Sequence, residues 1–429
     1  MPSDPTGAIT PLDLVRRVVA RELEPQLLPG DEEDLAQTGL VDSMMRVNIL
    51  LAIEESAGVA GFAAEWPDDR PFSVRKIVER LRQVEGQPAE AIVAGARRAT
   101  SLYQASEVSI KGWAASPGSV IIPAEQVDAE CGFVPGFLRD RTGIETVRRA
   151  SSEENETALA VKAAESALEM AGIAAADVDL LIGVSTTHLG FPSFAASVHA
   201  ERLLRESVGA IDIGGACCGV LYALAGGASL LPTINGRTAL IVASEVNSCR
   251  LASMDAPPEF RALFGDAACA FVLERSEAGA GAPGRRLREF TWGASSTFAS
   301  ALCVSWPAGG APRVEFRGEQ LAAAAIEVLE RVLDRLAAVT GVGLAEVDRF
   351  ALHEPNPRVV ALLARKAGIP LERTSQTSRT WGNLGSATCG VNLCKALTDT
   401  EAIANETRPP AILAAAVGPG LLWGGAHIG

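Results

Sequence analysis

Aromatic residues are scarce in this chain, 5% of 429, with two tyrosines, and histidine occurs only four times. A core short of large rings must close by other means. Alanine and 41 glycines supply them, because small residues let helices and sheets approach closely, as in an α/β enzyme rather than a disordered chain. Basic residues are in deficit, 38 against 52 acidic, for a net charge of −14. That balance excludes nucleic acid as a partner. No CxxC pair occurs among the cysteines at 131, 217, 218, 249, 269, 303, 389 and 394. Their scatter excludes a disulfide framework and a zinc site, so reduced thiols and no metal are expected. No apolar run reads as a membrane span, and Met1-Pro2-Ser3-Asp4-Pro5 shows no basic segment leading into an apolar one. The expectation is a cytoplasmic protein with no membrane partner.

The length allows two or three domains. Charge is unevenly spread: residues 1–85 hold 16 acidic and 9 basic residues, half of the net excess in a fifth of the chain. This points to a separate acidic module. Thr10-Pro11 opens a helix, with Leu12, Val15, Val18 and Val19 at helical spacing. A second helix starts at Asp42-Ser43, with Val47, Leu50 and Leu51 inward, and a third at Ser73, with Val74, Ile77, Val78 and Leu81. On residues alone, Ser43 is either a helix cap or an exposed hydroxyl beside a helix dipole. Residues 86–105 read as an Ala-rich, semi-rigid connector.

From residue 106 onward, strand-like and helix-like runs alternate, which implies βαβ units. Ala176-Asp177-Val178-Asp179-Leu180 returns as Ala345-Glu346-Val347-Asp348-Arg349, each copy after a long Ala-rich helix and before a strand. A duplicated α/β domain is expected, 106–280 and 281–429, joined near Gly279–Gly284.

Three polar stations stand out. Cys217 follows Ile211-Asp212-Ile213-Gly214-Gly215-Ala216 and precedes the helix-like run Val220–Leu231. A thiol between a strand and a helix N-terminus is expected to have a depressed pKa. His353 opens the turn His353-Glu354-Pro355-Asn356, and Asn383 sits in Gly382-Asn383-Leu384-Gly385-Ser386. Each alone reads as structural: a core cysteine, a strand-end histidine, a turn asparagine. Together they make a nucleophile with two hydrogen-bond donors, a constellation for acyl transfer.

Residues 106–429 resemble a β-ketoacyl-acyl carrier protein synthase III of the thiolase superfamily. The resemblance rests on Arg141-Thr142-Gly143-Ile144, Phe191-Pro192-Ser193, Gly215-Ala216-Cys217-Cys218-Gly219, Phe264-Gly265-Asp266, His353-Glu354-Pro355-Asn356, Gly382-Asn383-Leu384-Gly385-Ser386 and Gly418-Pro419-Gly420. It implies a thiolase-like duplicated five-layer αβαβα fold, a homodimer, and acyl-coenzyme A or acyl-carrier thioesters as substrates. Cys217 would take the acyl group. His353 and Asn383 would hold a malonyl-type thioester and stabilise the enolate left as carbon dioxide departs. The backbone N–H groups of Cys217 and Gly420 would serve as oxyanion donors, since Pro419 has none. Phe137 stands where related enzymes carry a tryptophan against the coenzyme A adenine, so Phe137 and Arg141 are expected to bind substrate. The alternatives are acyl transfer to a hydroxyl or amine without elongation, and a non-catalytic docking subunit of a synthase complex.

Residues 1–85 resemble an acyl or peptidyl carrier protein, a small four-helix all-α domain. Gly39-Leu40-Val41-Asp42-Ser43-Met44 matches its attachment motif. The resemblance implies 4′-phosphopantetheine on Ser43, installed by a phosphopantetheinyl transferase. Arg46 is a basic exception on that helix and is expected to alter partner recognition.

Overall fold

The computed structural model describes residues 9–23, 29–38, 41–59, 61–67, 71–84, 101–104, 107–201, 203–276, 285–295, 299–403 and 410–429. The chain divides into two compact units, residues 1–98 with 317–327, and residues 99–316 with 328–429.

The described part of the first unit holds the helices Pro11–Glu22, Ser43–Ala57 and Val74–Val84, together with the start of the helix Gly318–Thr340. Thr10 caps the first helix, its Oγ1 accepting from the Asp13 N–H at 3.2 Å. Asp42 caps the second, its Oδ1 accepting from the Met45 N–H at 2.7 Å. Ser43 is therefore the first helical residue; it is exposed, and capping is done by its neighbour. Val15, Val18, Val19, Val47, Leu50, Ile77 and Leu81 are buried, as their spacing predicts. Phe62, Trp66 and Phe72 pack edge to face, with centroids 6.1 and 5.7 Å apart. Arg46 lies over Phe72 and pairs with Glu319 at 3.3 Å, and the Gln320 side chain donates to the Trp66 carbonyl at 3.1 Å. The Arg46 guanidinium is thus engaged inside the unit.

The second unit is built on two five-stranded sheets. The first runs Val108–Pro117, Asp266–Arg275, Thr238–Val246, Leu180–Val184, Gly209–Asp212. The second runs Ser101–Gln104, Leu287–Ala294, Leu422–Ile428, Ile412–Gly418, Arg349–Leu352. Side chains alternate across the first sheet: Ile182, Ile241 and Phe271 face one core, Leu181, Leu240 and Val272 the other. The shared core joins both sheets through the helices Gly219–Thr233 and Thr388–Ile403. The outer core of the first sheet is closed by Glu156–Ala171 and Phe194–Ala200. Val332 and Leu336 of the long helix close the second sheet at Gly425, where a Cβ would stand 2.6 and 3.0 Å from them. Five layers result, helix, sheet, helix, sheet, helix.

The two copies of the internal repeat fold alike. In each, a long helix ends, a 3₁₀ turn follows (Ala175–Asp177, Leu344–Glu346), and a strand begins (Leu180–Val184, Arg349–Leu352).

Some expectations are corrected. The connector does not reach residue 105, because Ser101–Gln104 is an edge strand paired with Leu287–Ala294; residues 85–100, and the expected join at 279–284, lie outside the described residues. The strand expected before Cys217 is present. Gly209–Asp212 is an exposed sheet edge. Finally, Ala216–Thr233 is apolar enough to span a membrane, with mean hydropathy 1.4 over 18 residues. It is instead the helix sandwiched between the sheets.

Candidate active site

Cys217 sits on a strained connection. Gly215 has φ 151° and Ala216 φ 46°, and a 3₁₀ turn over Ala216–Cys218 leads into the helix from Gly219. The turn is wedged tightly. A Cβ on Gly219 would lie 2.5 Å from Val184 Cγ1, and one on Gly418 would lie 3.1 Å from the Cys217 nitrogen. The end of the strand Ile412–Gly418 is thereby pressed against the cysteine. Cys218 points inward, fully buried, its Sγ donating to the Ala416 and Leu422 carbonyls, each at 3.3 Å. Cys217 keeps partial exposure and lines a cavity of about 360 Å³ with Thr186, Pro419, Gly385 and Ser386.

The expected thiolate is corrected. Burial, reinforced by the nearby Glu245 carboxyl, pushes the Cys217 thiol up to about 12. Its own backbone N–H acts in the opposite sense, and burial outweighs it. His353, 6% exposed at the end of Arg349–Leu352, is held by its N–H donating to the Ala415 carbonyl at 2.8 Å. Burial pushes its imidazole down to about 4, so it is neutral at pH 7, and its Nδ1 is buried with no hydrogen-bond partner.

Asn383 is fixed on all sides. Its N–H donates to Leu263 at 2.8 Å, and its carbonyl accepts from Gly265 at 3.0 Å. Its side-chain Oδ1 accepts from the Gly385 N–H at 3.0 Å and the Thr388 hydroxyl at 3.2 Å. With the oxygen so engaged, the amide NH₂ is the group left to meet a ligand. The Phe264-Gly265-Asp266 motif explains itself here: it clamps Asn383, and a Cβ on Gly265 would overlap the Trp381 carbonyl.

Two buried acids escaped the sequence reading. Glu245 accepts from the Thr186 and Thr187 N–H groups at 2.9 and 3.0 Å and from the Ser386 hydroxyl, tying the cavity wall to the turn after Asn383. Its signal was an acid inside the apolar run Thr238–Val246. Glu354 accepts from the Ser378 N–H and hydroxyl at 3.0 and 2.7 Å and from Asn392 at 2.8 Å. Burial raises it to about 7.

The cavity wall takes in Cys217 and Pro419, while His353 and Asn383 lie outside its lining. Gly420 follows Pro419 at φ 75°. Phe137 and Arg141 stand together on the helix Phe137–Thr142, the guanidinium 5.7 Å over the ring, with Phe133 stacked beneath at 4.2 Å. Neither lines the Cys217 cavity. Among the described residues no His, Cys, Asp and Glu group could hold a metal ion.

A duplicated five-layer fold, with a cysteine on a strand-to-helix turn of one half and a histidine and an asparagine on the other, defines a thiolase-type condensing enzyme. Comparison with known proteins agrees. Residues 211–296 match the family model for 3-oxoacyl-[acyl-carrier-protein (ACP)] synthase III, and residues 337–429 match its C-terminal model. A β-ketoacyl-[acyl-carrier-protein] synthase III of Thioalkalivibrio sulfidiphilus is 32% identical over 300 residues, covering 68% of this chain and 89% of the relative. One from Clostridium perfringens is 29% identical over 297 residues, covering 68% and 90%. The crystal structure of the Aquifex aeolicus 3-oxoacyl-[acyl-carrier-protein] synthase III superposes with a TM-score of 0.64 at 27% identity, covering 75% of this chain and 99% of that one. The chain belongs to the β-ketoacyl-[acyl-carrier-protein] synthase III family, whose members are acyl-transferring enzymes.

Proposed function

We propose that this protein is a carrier-fused ketosynthase that forms an acyl-Cys217 thioester and condenses it with a malonyl-type thioester. The observation that carries the reading is the single thiol of the Cys217-Cys218 pair that opens into a cavity, on a turn held by both halves of the fold. The Cys217 thiol attacks the incoming thioester carbonyl; the carbon–sulfur bond to the donor breaks, and the proton leaves on the donor thiol. The Cys217 backbone N–H, with that of Gly420, stabilises the oxyanion. A malonyl-type thioester then loses carbon dioxide. The neutral imidazole of His353 and the Asn383 amide donate to the enolate oxygen, a role that suits a histidine unable to take a second proton at pH 7. The enolate carbon attacks the acyl-Cys217 carbonyl: a carbon–carbon bond forms, the acyl carbon–sulfur bond breaks, and the sulfur leaves as a thiolate that takes a proton from water. Acyl-coenzyme A or acyl-carrier thioesters are the substrates, with Phe137 and Arg141 meeting the donor outside the cavity. No metal takes part.

Ser43 is the attachment point for 4′-phosphopantetheine, delivered by a phosphopantetheinyl transferase. Support comes from an exposed hydroxyl at a helix N-terminus that is already capped by Asp42. The working form is a cytoplasmic homodimer.

The test is intact-protein mass spectrometry with acyl and malonyl thioesters. The acyl mass is expected on the wild type and on Cys218→Ala, and absent from Cys217→Ala. A β-ketoacyl product is expected on adding the malonyl donor. Release of an ester or amide instead establishes acyl transfer without elongation, and no acyl mass at all identifies a docking subunit. The phosphopantetheine mass is expected on the wild type and absent from Ser43→Ala; no gain on the wild type leaves a plain helical module.

A further inference from the structure

The cavity beside Cys217 is walled largely by apolar groups, Leu251, Met254, Phe260, Phe264, Val304 and Val314 among them. Arg250 breaks the pattern. It lines the same space, its guanidinium 5.5 Å from the Trp306 ring centroid, and its Nη2 is buried with no hydrogen-bond partner. Loss of hydration lowers its pKa. Among the described residues, no carboxylate lines the cavity.

A buried donor without an acceptor costs free energy, and a purely aliphatic acyl chain would leave this one unmet. A guanidinium matches a carboxylate best, through two parallel hydrogen bonds. At about 30 Å³ for each water-sized group, the space beside Cys217 takes on the order of ten chain atoms. We infer that the acyl group accepted by Cys217 carries a carboxylate beyond its thioester, and that Arg250 receives that carboxylate and sets the acyl specificity. This rests on the acyl-Cys217 reading above. In the transfer, the bond from the acyl carbon to the donor sulfur breaks as the bond to Sγ forms. The thiol proton leaves on the donor thiol, and the second carboxylate is unchanged.

The test is a matched series of coenzyme A thioesters: succinyl against butyryl, adipoyl against hexanoyl, suberoyl against octanoyl. The readout is the ratio of labelling rates at Cys217 within each pair. The wild type is expected to favour the carboxyacyl member of at least one pair by about tenfold or more. Arg250→Met is expected to reverse that preference, and Arg250→Gln repeats the measurement if the Met variant does not fold. Faster labelling by the alkanoyl member of every pair in the wild type overturns the inference without any variant. So does a carboxyacyl preference that survives loss of the guanidinium. If neither series labels Cys217, the acyl-enzyme reading itself has failed, and this inference falls with it.

Discussion

Cys217 and His353 are displaced in opposite directions by one cause. Burial disfavours whichever form is charged, so the thiol rises to about 12 and the imidazole falls to about 4. The resting site is a neutral pair, not a thiolate–imidazolium pair. Alkylation of Cys217 by iodoacetamide, followed by mass spectrometry, is expected to accelerate about tenfold per pH unit through about pH 10. A plateau near neutrality would show a depressed thiol and contradict this account. Glu354 provides a stability prediction. Its folded value of about 7 lies above the unfolded 4.5, so the fold favours the protonated form. That contribution is complete below about pH 4.5 and is lost as pH rises through about 7, on the order of 3 kcal/mol in all. Denaturation midpoints measured between about pH 5 and 8 should fall more steeply for the wild type than for Glu354→Gln. Equal slopes would count against it. The identities of Cys217, His353 and Asn383 were legible in sequence because each sits in a turn with a distinctive flank: a 3₁₀ turn before a helix, the end of a strand, and a glycine-rich turn. Their ionisation was not, since it depends on depth and on Glu245, which reaches the site from another strand.

At the scale of elements, the site is held by close approaches of backbone. The strand Asp266–Arg275 begins just after Gly265, which is pinned between the Trp381 and Arg148 carbonyls. Gly265→Ala is expected to cost about 3 kcal/mol or more, because backbone cannot yield to a methyl group as a side-chain tip can. Gly214→Ala, in the nucleophile loop with nothing within 4 Å, is the control and should stay within about 0.5 kcal/mol. Guanidinium midpoints at unchanged slope measure both; equal midpoints would refute the packing argument. The alternation of strands and helices, and the repeated helix–turn–strand unit, could be read from periodicity. The edge strand Ser101–Gln104 could not: four residues beside an Ala-rich stretch have no period of their own, and only pairing with Leu287–Ala294 defines them. The exposure of Gly209–Asp212 was likewise hidden, because apolar Ala210 and Ile211 look like core until the sheet order makes them an edge.

For the whole molecule, that edge bears on assembly. Gly209–Asp212 has no strand on its outer side among the described residues, and Leu189 and Phe191, 55% and 102% exposed, belong to the same unit. Leu189 also lines the Cys217 cavity. Unpaired edges invite a second strand, and twofold self-pairing is the commonest outcome. Sedimentation is expected to give twice the chain mass for the wild type, and a weaker association constant for Ile211→Lys; a wild-type monomer at all concentrations would exclude the dimer.

The helical unit at the start of the chain has a further consequence. Its compact set includes Arg317–Glu327, and Arg46 finds an ion-pair partner there in Glu319. A nascent chain therefore cannot finish this unit when residue 98 leaves the ribosome. It must wait while more than half of the remaining polypeptide is synthesised, so the order of maturation is not the order of translation.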